Sequence, residues 1–80
     1  MAASLEDLRN WFRHGAASGH RYMIVLCDTY DWEDYSKYAN SRQGAQEIVD
    51  NPGDMTRVME VYDLEASMET QLAEYRAWHL

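Results

Sequence analysis

The sequence predicts an α+β fold: one small domain, residues 1–80, in which a three-stranded, largely antiparallel sheet is packed with helices in the order α-β-β-α-β-α. Three observations carry this. Residues 4–19 repeat apolar side chains at helical spacing behind a capping sequence. Residues 21–30, reading RYMIVLCDTY, form a run of strand length that is apolar on both alternating sets. Residues 35–39 and 54–64 then supply the neighbours that such a strand needs.

The first helix starts at Ser4, which with Asp7 reads as a capping box, and Glu6 and Asp7 stand where the helix dipole favours acids. Leu5, Leu8, Phe12 and Ala16 mark its apolar face, widened by Trp11 and Gly15, and Gly19 ends it. In the next segment Met23, Val25 and Cys27 alternate with Tyr22, Ile24 and Leu26, so this strand is central and covered on both faces. Asp31-Trp32-Glu33-Asp34 interrupts the apolar run, and Tyr35 to Ala39 returns as a second, antiparallel strand. Ser41 caps a short helix through Asp50 with Ala45, Ile48 and Val49 inward, and Asn51-Pro52-Gly53 stops it. The segment DMTRVMEVYDL fits a helix by Met55, Val58, Met59 and Tyr62, but it also alternates as a strand does; the need of the first strand for a long neighbour favours strand. A closing helix is expected from about Glu65 to Trp78, marked by Met68, Leu72, Tyr75 and His79.

Composition limits what the chain can be. With 46% hydrophobic and 12% aromatic residues it exceeds the apolar content of disordered segments, and 80 residues exclude a multidomain enzyme. No stretch approaches the roughly 20 apolar residues of a membrane span. Met1, Ala2, Ala3 and Ser4 lead into an acidic pair with no basic or apolar leader, and Cys27 is a lone thiol, so the cytoplasm is the expected compartment. Fourteen acids face seven bases, for a net charge of −7. The excess is uneven: up to Cys27, Glu6 and Asp7 face Arg9, Arg13 and Arg21, whereas the other twelve acids face only Lys37, Arg42, Arg57 and Arg76. Direct nucleic-acid binding is disfavoured, because its affinity comes largely from Lys and Arg on phosphates. A basic protein surface is the better partner.

No catalytic motif stands out. Cys27 and Asp28 end the apolar strand with His14 and His20 upstream, which formally allows a Cys-His nucleophile, but an unpaired Cys on the face of Met23 and Val25 reads first as a small buried hydrophobe. Asp28, Asp31, Glu33 and Asp34 could offer oxygens to a hard cation, yet Tyr30 and Trp32 occupy the ligand positions of an EF-hand loop and its Gly is missing. The aspartate spacing of phosphoryl chemistry and a Gly-rich phosphate loop are also missing, and His14, His20 and His79 lack metal-ligand spacing. No cofactor is implied. The aromatic set is more informative: three Trp and six Tyr against one Phe give most aromatic area a polar handle, as at interfaces. Trp32, with Tyr30 and Tyr35 beside it, stands among four acids like an anchor in an acidic rim, although Tyr and Trp also roof the shallow cores of small domains.

Two stretches, HRYMIVLCDTYDWEDYSKY from His20 to Tyr38 and MTRVMEVYDL from Met55 to Leu64, resemble a group of short phage, prophage and bacterial proteins of unassigned activity. These share a Met-Ile-Val-x-Cys-Asp-Thr-aromatic-Asp-x-Glu-Asp-Tyr core and a later Arg-Val-Met-Glu-Val-Tyr segment. The amino-terminal Leu-Arg-Asn-Trp-Phe and terminal Arg-Ala-Trp-His are in character with the group. Where the group usually has Pro-Val after the tyrosine, this chain has Ser36-Lys37, so the start of the second strand is expected to differ. The resemblance implies no catalytic residues and a phage or mobile-element context, in which small acidic proteins often block a host factor.

The resulting expectation is a non-enzymatic acidic binding protein, a phage-type inhibitor acting in the host cytoplasm on a basic, nucleic-acid-binding surface of a defence complex such as a CRISPR or restriction system. Asp28, Asp31, Glu33 and Asp34 supply the field, and Trp32 and Tyr35 the contact. Two alternatives stay open: a small enzyme or metal-dependent site around Cys27 and Asp28, and an obligate homodimer that completes its core with a second copy.

Overall fold

The computed structural model describes residues 3–80; Met1 and Ala2, where the reading of the leader begins, lie outside the described residues. The chain runs α1 (Leu5–Ala17), β1 (Tyr22–Asp28), β2 (Glu33–Ala39), α2 (Arg42–Asp50), β3 (Thr56–Asp63) and α3 (Met68–Leu72). The sheet order is β2-β1-β3 with both pairings antiparallel, which is the predicted α+β architecture in the predicted element order. Among the described residues no helix is long and apolar enough to cross a membrane.

β1 is the centre of the molecule because both of its faces are covered. Tyr22 through Cys27 are all buried. Met23 and Val25 pack with Leu8 and Phe12 of α1 and with Tyr62, Leu64 and Ala77. Tyr22, Ile24 and Leu26 pack with Ala39, Val61 and Ala45 of α2 on the other face. A central strand between two helical layers needs this run without alternation, and each such large side chain contributes about 1.5–3 kcal/mol of burial.

α1 begins as the sequence indicates: the Ser4 hydroxyl accepts from the Asp7 N–H at 3.1 Å while the Asp7 carboxylate accepts from the Ser4 N–H at 3.2 Å. It ends in a Schellman arrangement, with the Gly19 N–H on the Ala16 carbonyl, the His20 N–H on the Gly15 carbonyl and Gly19 at φ +83°. The buried face is Leu8, Phe12 and Gly15, with Leu5 and Ala16 exposed, so the stripe is rotated from the expected one. Tyr38 fixes that rotation. Its ring lies under Gly15, where an added Cβ would come within 2.7 Å of Tyr38 Cδ1, and its hydroxyl donates to the Trp11 carbonyl at 2.7 Å. A helix axis this close to a tyrosine ring has room only for glycine at the crossing.

β2 starts at Glu33, two residues before the expected strand, so the turn is Thr29–Trp32 and Glu33 and Asp34 belong to the sheet. The segment that was ambiguous between helix and strand is a strand, β3, and it carries a bulge: Val25 pairs with Glu60 and Leu26 with Val58, leaving Met59 as the extra residue. Arg76 donates to the Met59 carbonyl at 2.9 Å and to the Val58 carbonyl at 3.2 Å, so its guanidinium takes up carbonyls at the bulge.

The closing helix is a correction. It spans Met68–Leu72 only, and the chain then leaves the helical path. The Val61 N–H donates to the Ala77 carbonyl and the His79 N–H to the Val61 carbonyl, each at 3.0 Å, which lays the last residues along the outer edge of β3. Unpaired backbone groups of a sheet edge need partners, and a helix continuing to Trp78 would keep its own N–H and C=O groups for itself. Gln71 locks this crossing from inside. It is buried, its Oε1 accepts from the Asp63 N–H at 2.7 Å, and its Nε2 donates to the carbonyls of Asp63 and Ser67.

Candidate interaction surface

β2 and β3 both run antiparallel to β1, so both start at the end of the sheet where β1 finishes. Asp28, the last residue of β1, lies between Glu33 and Thr56. The β1–β2 turn and the α2–β3 loop therefore meet at one tip, joined by the Thr29 N–H on the Met55 carbonyl at 2.8 Å.

Asp28 shapes the turn. Its Oδ1 accepts from the Tyr30 N–H at 2.8 Å, and its carbonyl accepts from the Trp32 N–H at 2.6 Å. Such an Asx turn uses the carboxylate as a local acceptor and commits Asp28 to structure. The chain then has to re-enter the sheet through a left-handed residue, which is Trp32 at φ 59°; Met55, which precedes β3, sits at φ 55°. Bulky side chains are uncommon there and cost roughly 1–2 kcal/mol each relative to glycine. Each is one residue before an outer strand of the sheet, so they flank β1 at two strand spacings, roughly 10 Å apart. Trp32 is 58% exposed, Met55 56% and Tyr30 74%, a density of large exposed side chains unusual for one tip. Asp31, Glu33 and Asp54 are exposed around them, and none of the three enters an ion pair among the described residues.

Of the six residues assigned to binding from the sequence, the structure groups Asp31, Trp32 and Glu33 at the tip, with Asp28 beneath them. Asp34 and Tyr35 diverge from this group. The alternation of β2 turns Asp34 to the α1 face, opposite Cys27, where its Oδ2 accepts from the Ala3 N–H at 2.8 Å. Tyr35, opposite Leu26, packs half-buried against the α2-side core. Met55 and Asp54 were missed because they lie some twenty residues on. The signal that could have found them is topological: two outer strands antiparallel to one centre must start at the same end.

The α1 face carries a cleft of about 370 Å³ lined by Asp34, Glu60, Arg57, Arg76 and Tyr75, among others. Its two carboxylates and two guanidiniums make it balanced in charge, unlike the tip. Cys27 lies under this face, buried, with its Sγ 3.7 Å from the Asp28 carbonyl. Burial first and the Asp34 carboxylate second push its thiol pKa up, away from the thiolate that a nucleophile needs. The histidines are engaged elsewhere: His20 stacks on Tyr38 with centroids 5.0 Å apart and its Nδ1 is 2.7 Å from Asn40, while His79 pairs with Glu74 at 2.8 Å. Among the described residues no group of three or more His, Cys, Asp or Glu side chains could hold a metal ion.

Comparison with known proteins finds no matching family model, no matching curated protein and no matching solved structure.

Proposed function

We propose that this chain is a non-enzymatic acidic binding protein that docks its sheet tip on a basic, nucleic-acid-binding surface of a host protein, as a phage-type inhibitor of a defence complex such as a CRISPR or restriction system. The observation that carries the reading is the tip itself: Tyr30, Trp32 and Met55 exposed together, ringed by the exposed carboxylates of Asp31, Glu33 and Asp54, which enter no ion pair among the described residues. The aromatic and thioether groups offer desolvated contact of the kind concentrated at interface centres, and the carboxylates steer the tip toward positive charge. The net charge of −7 adds a long-range field of the same sign. The defence context rests on the resemblance to phage and prophage proteins, and the basic partner on the charge.

The test is retention of host-lysate proteins on the immobilised chain at low and high salt, followed by kinetics with the recovered partner. The expected outcome is a discrete, salt-labile partner that the Trp32→Ala chain no longer retains, with an association rate lowered about tenfold or more by Asp31→Lys with Glu33→Lys. Binding that is indifferent to salt and survives both changes would falsify the reading.

A further inference from the structure

The two outer strands of the sheet are treated differently. The outer edge of β3 is covered by residues 76–79 and by the Arg76 guanidinium. Among the described residues β2 pairs with β1 alone. The direction of its free backbone groups follows from the register. The Leu64 N–H bonds the Arg21 carbonyl and the Thr29 N–H bonds the Met55 carbonyl, so the bonds to β3 flank Tyr22 and Asp28 at the two ends of β1. Tyr22, Ile24, Leu26 and Asp28 therefore turn their own N–H and C=O groups to β2, onto Ala39, Lys37, Tyr35 and Glu33. The N–H and C=O groups of Asp34, Ser36 and Tyr38 point away from the sheet, and none of them has a backbone partner among the described residues.

We infer that the free edge of β2 pairs antiparallel with the same strand of a second copy, centred on Tyr35, to give a continuous six-stranded sheet. The occupant follows from charge and register together. Outward backbone groups recur at every second residue, so two copies can pair only about a whole residue and not between residues. Centring on Asp34 sets two carboxylates opposite one another and centring on Lys37 does the same for two ammonium groups, both destabilising, while centring on Ser36 sets Glu33 across from Ala39 and Lys37 across from Tyr35 and leaves every charge without an opposite partner. Centring on Tyr35 sets Glu33 of each copy across from Lys37 of the other and the two Tyr35 rings across from one another, at non-hydrogen-bonded positions where side chains approach most closely. Asp34 and Ser36 then exchange main-chain bonds. Lysine on an exposed edge ordinarily discourages pairing, and this register is the one that turns Lys37 into an attraction. Glu33 and Lys37 are both exposed and lie on the α2 face of the sheet. The inference is independent of the core, whose two sides are closed within one chain. It shares Glu33 with the tip, but its test needs no host partner, since self-association is what is read.

Sedimentation equilibrium at physiological ionic strength tests it, with the −7 charge of each copy screened and contact pairs retained. The wild-type chain is expected to pass reversibly from 9.4 kDa to twice that mass as concentration rises. Lys37→Glu and Glu33→Lys, each checked for unchanged circular dichroism, are each expected to weaken the dimer about tenfold or more, because two attractions become two repulsions. An equimolar mixture of the two variants is expected to dimerise again, as is the double swap, since every facing pair is then opposite in sign. A wild-type chain that stays monomeric into the millimolar range overturns the inference. So does a dimer that either variant leaves unchanged, or a mixture of the variants that stays monomeric.

Discussion

Two buried side chains do most to define the chemistry of single residues here. Gln71 satisfies both backbone groups of Asp63 and one of Ser67 with a single amide. Replacing it by Ala leaves both Asp63 groups without their partner, while the Ser67 carbonyl keeps the backbone N–H of residue 71, and the expected loss is about 2–3 kcal/mol, read as a lower urea midpoint at unchanged m-value. Cys27 is the opposite case, a potentially reactive atom made inert. Its burial and its neighbour Asp34 both favour the neutral thiol. Native protein at pH 8 is expected to resist iodoacetamide while urea-unfolded protein is alkylated at once, a contrast that mass spectrometry reads directly. Equal rates in the two states would reopen a nucleophilic role for this residue. Both residues show how far type alone can be read. A lone Cys between Met23-Val25 and a strand end was legible as buried, whereas nothing in the local pattern of residues 65–78 marks Gln71 as the buried polar residue.

At the scale of elements, helix α1 and strand β2 are matched through one contact. Gly15 sits on the Tyr38 ring, and the ring cannot swing away while its hydroxyl is bonded to the Trp11 carbonyl and its face is stacked on His20. Helix propensity favours Gly15→Ala by about 1 kcal/mol, but overpacking at this crossing costs about 1–3 kcal/mol. The net expectation is a lower melting temperature, and a variant that melts higher would show that α1 can lift off Tyr38. The Ser4–Asp7 capping box, the Gly19 stop and the Ser41 cap were all legible because they act over three or four residues. The rotation of the α1 stripe and the early end of α3 were not, because a ring on β2 decides the first and the outer edge of β3, which takes up residues 77–79, decides the second.

The molecule as a whole is a thin sheet with a helix on either face, a charged and aromatic tip, one covered edge and one edge left open by the described residues. Its response to alkali belongs to this scale. Tyr62 is buried under α1, and burial first and the Glu60 carboxylate second push its hydroxyl pKa up; Cys27 moves the same way. For both groups the folded chain holds its proton more tightly than the unfolded chain. Their contribution is fully present below the unfolded values of 9.0 for the thiol and 10.0 for the phenol and is lost as pH rises beyond them. Urea midpoints are expected to fall from pH 9 upward, and Tyr62→Phe is expected to flatten the part of the fall beyond pH 10. Parallel curves for the two proteins would mean that Tyr62 ionises as freely in the fold as outside it.

The sequence by itself determined the order of elements, the central place of β1 and the sign of the field, because caps, periodicity and charge are properties of residues close together in the chain. Only the tertiary structure decided which acids share a surface. Asp28, Asp31, Glu33 and Asp34 are neighbours in sequence, yet one is taken into a turn and another faces the α1 side, while Asp54 and Met55 join the tip from the other side of β1. The physical reason is alternation in a strand, which sends successive side chains to opposite faces, together with antiparallel pairing, which brings the starts of distant strands to one end.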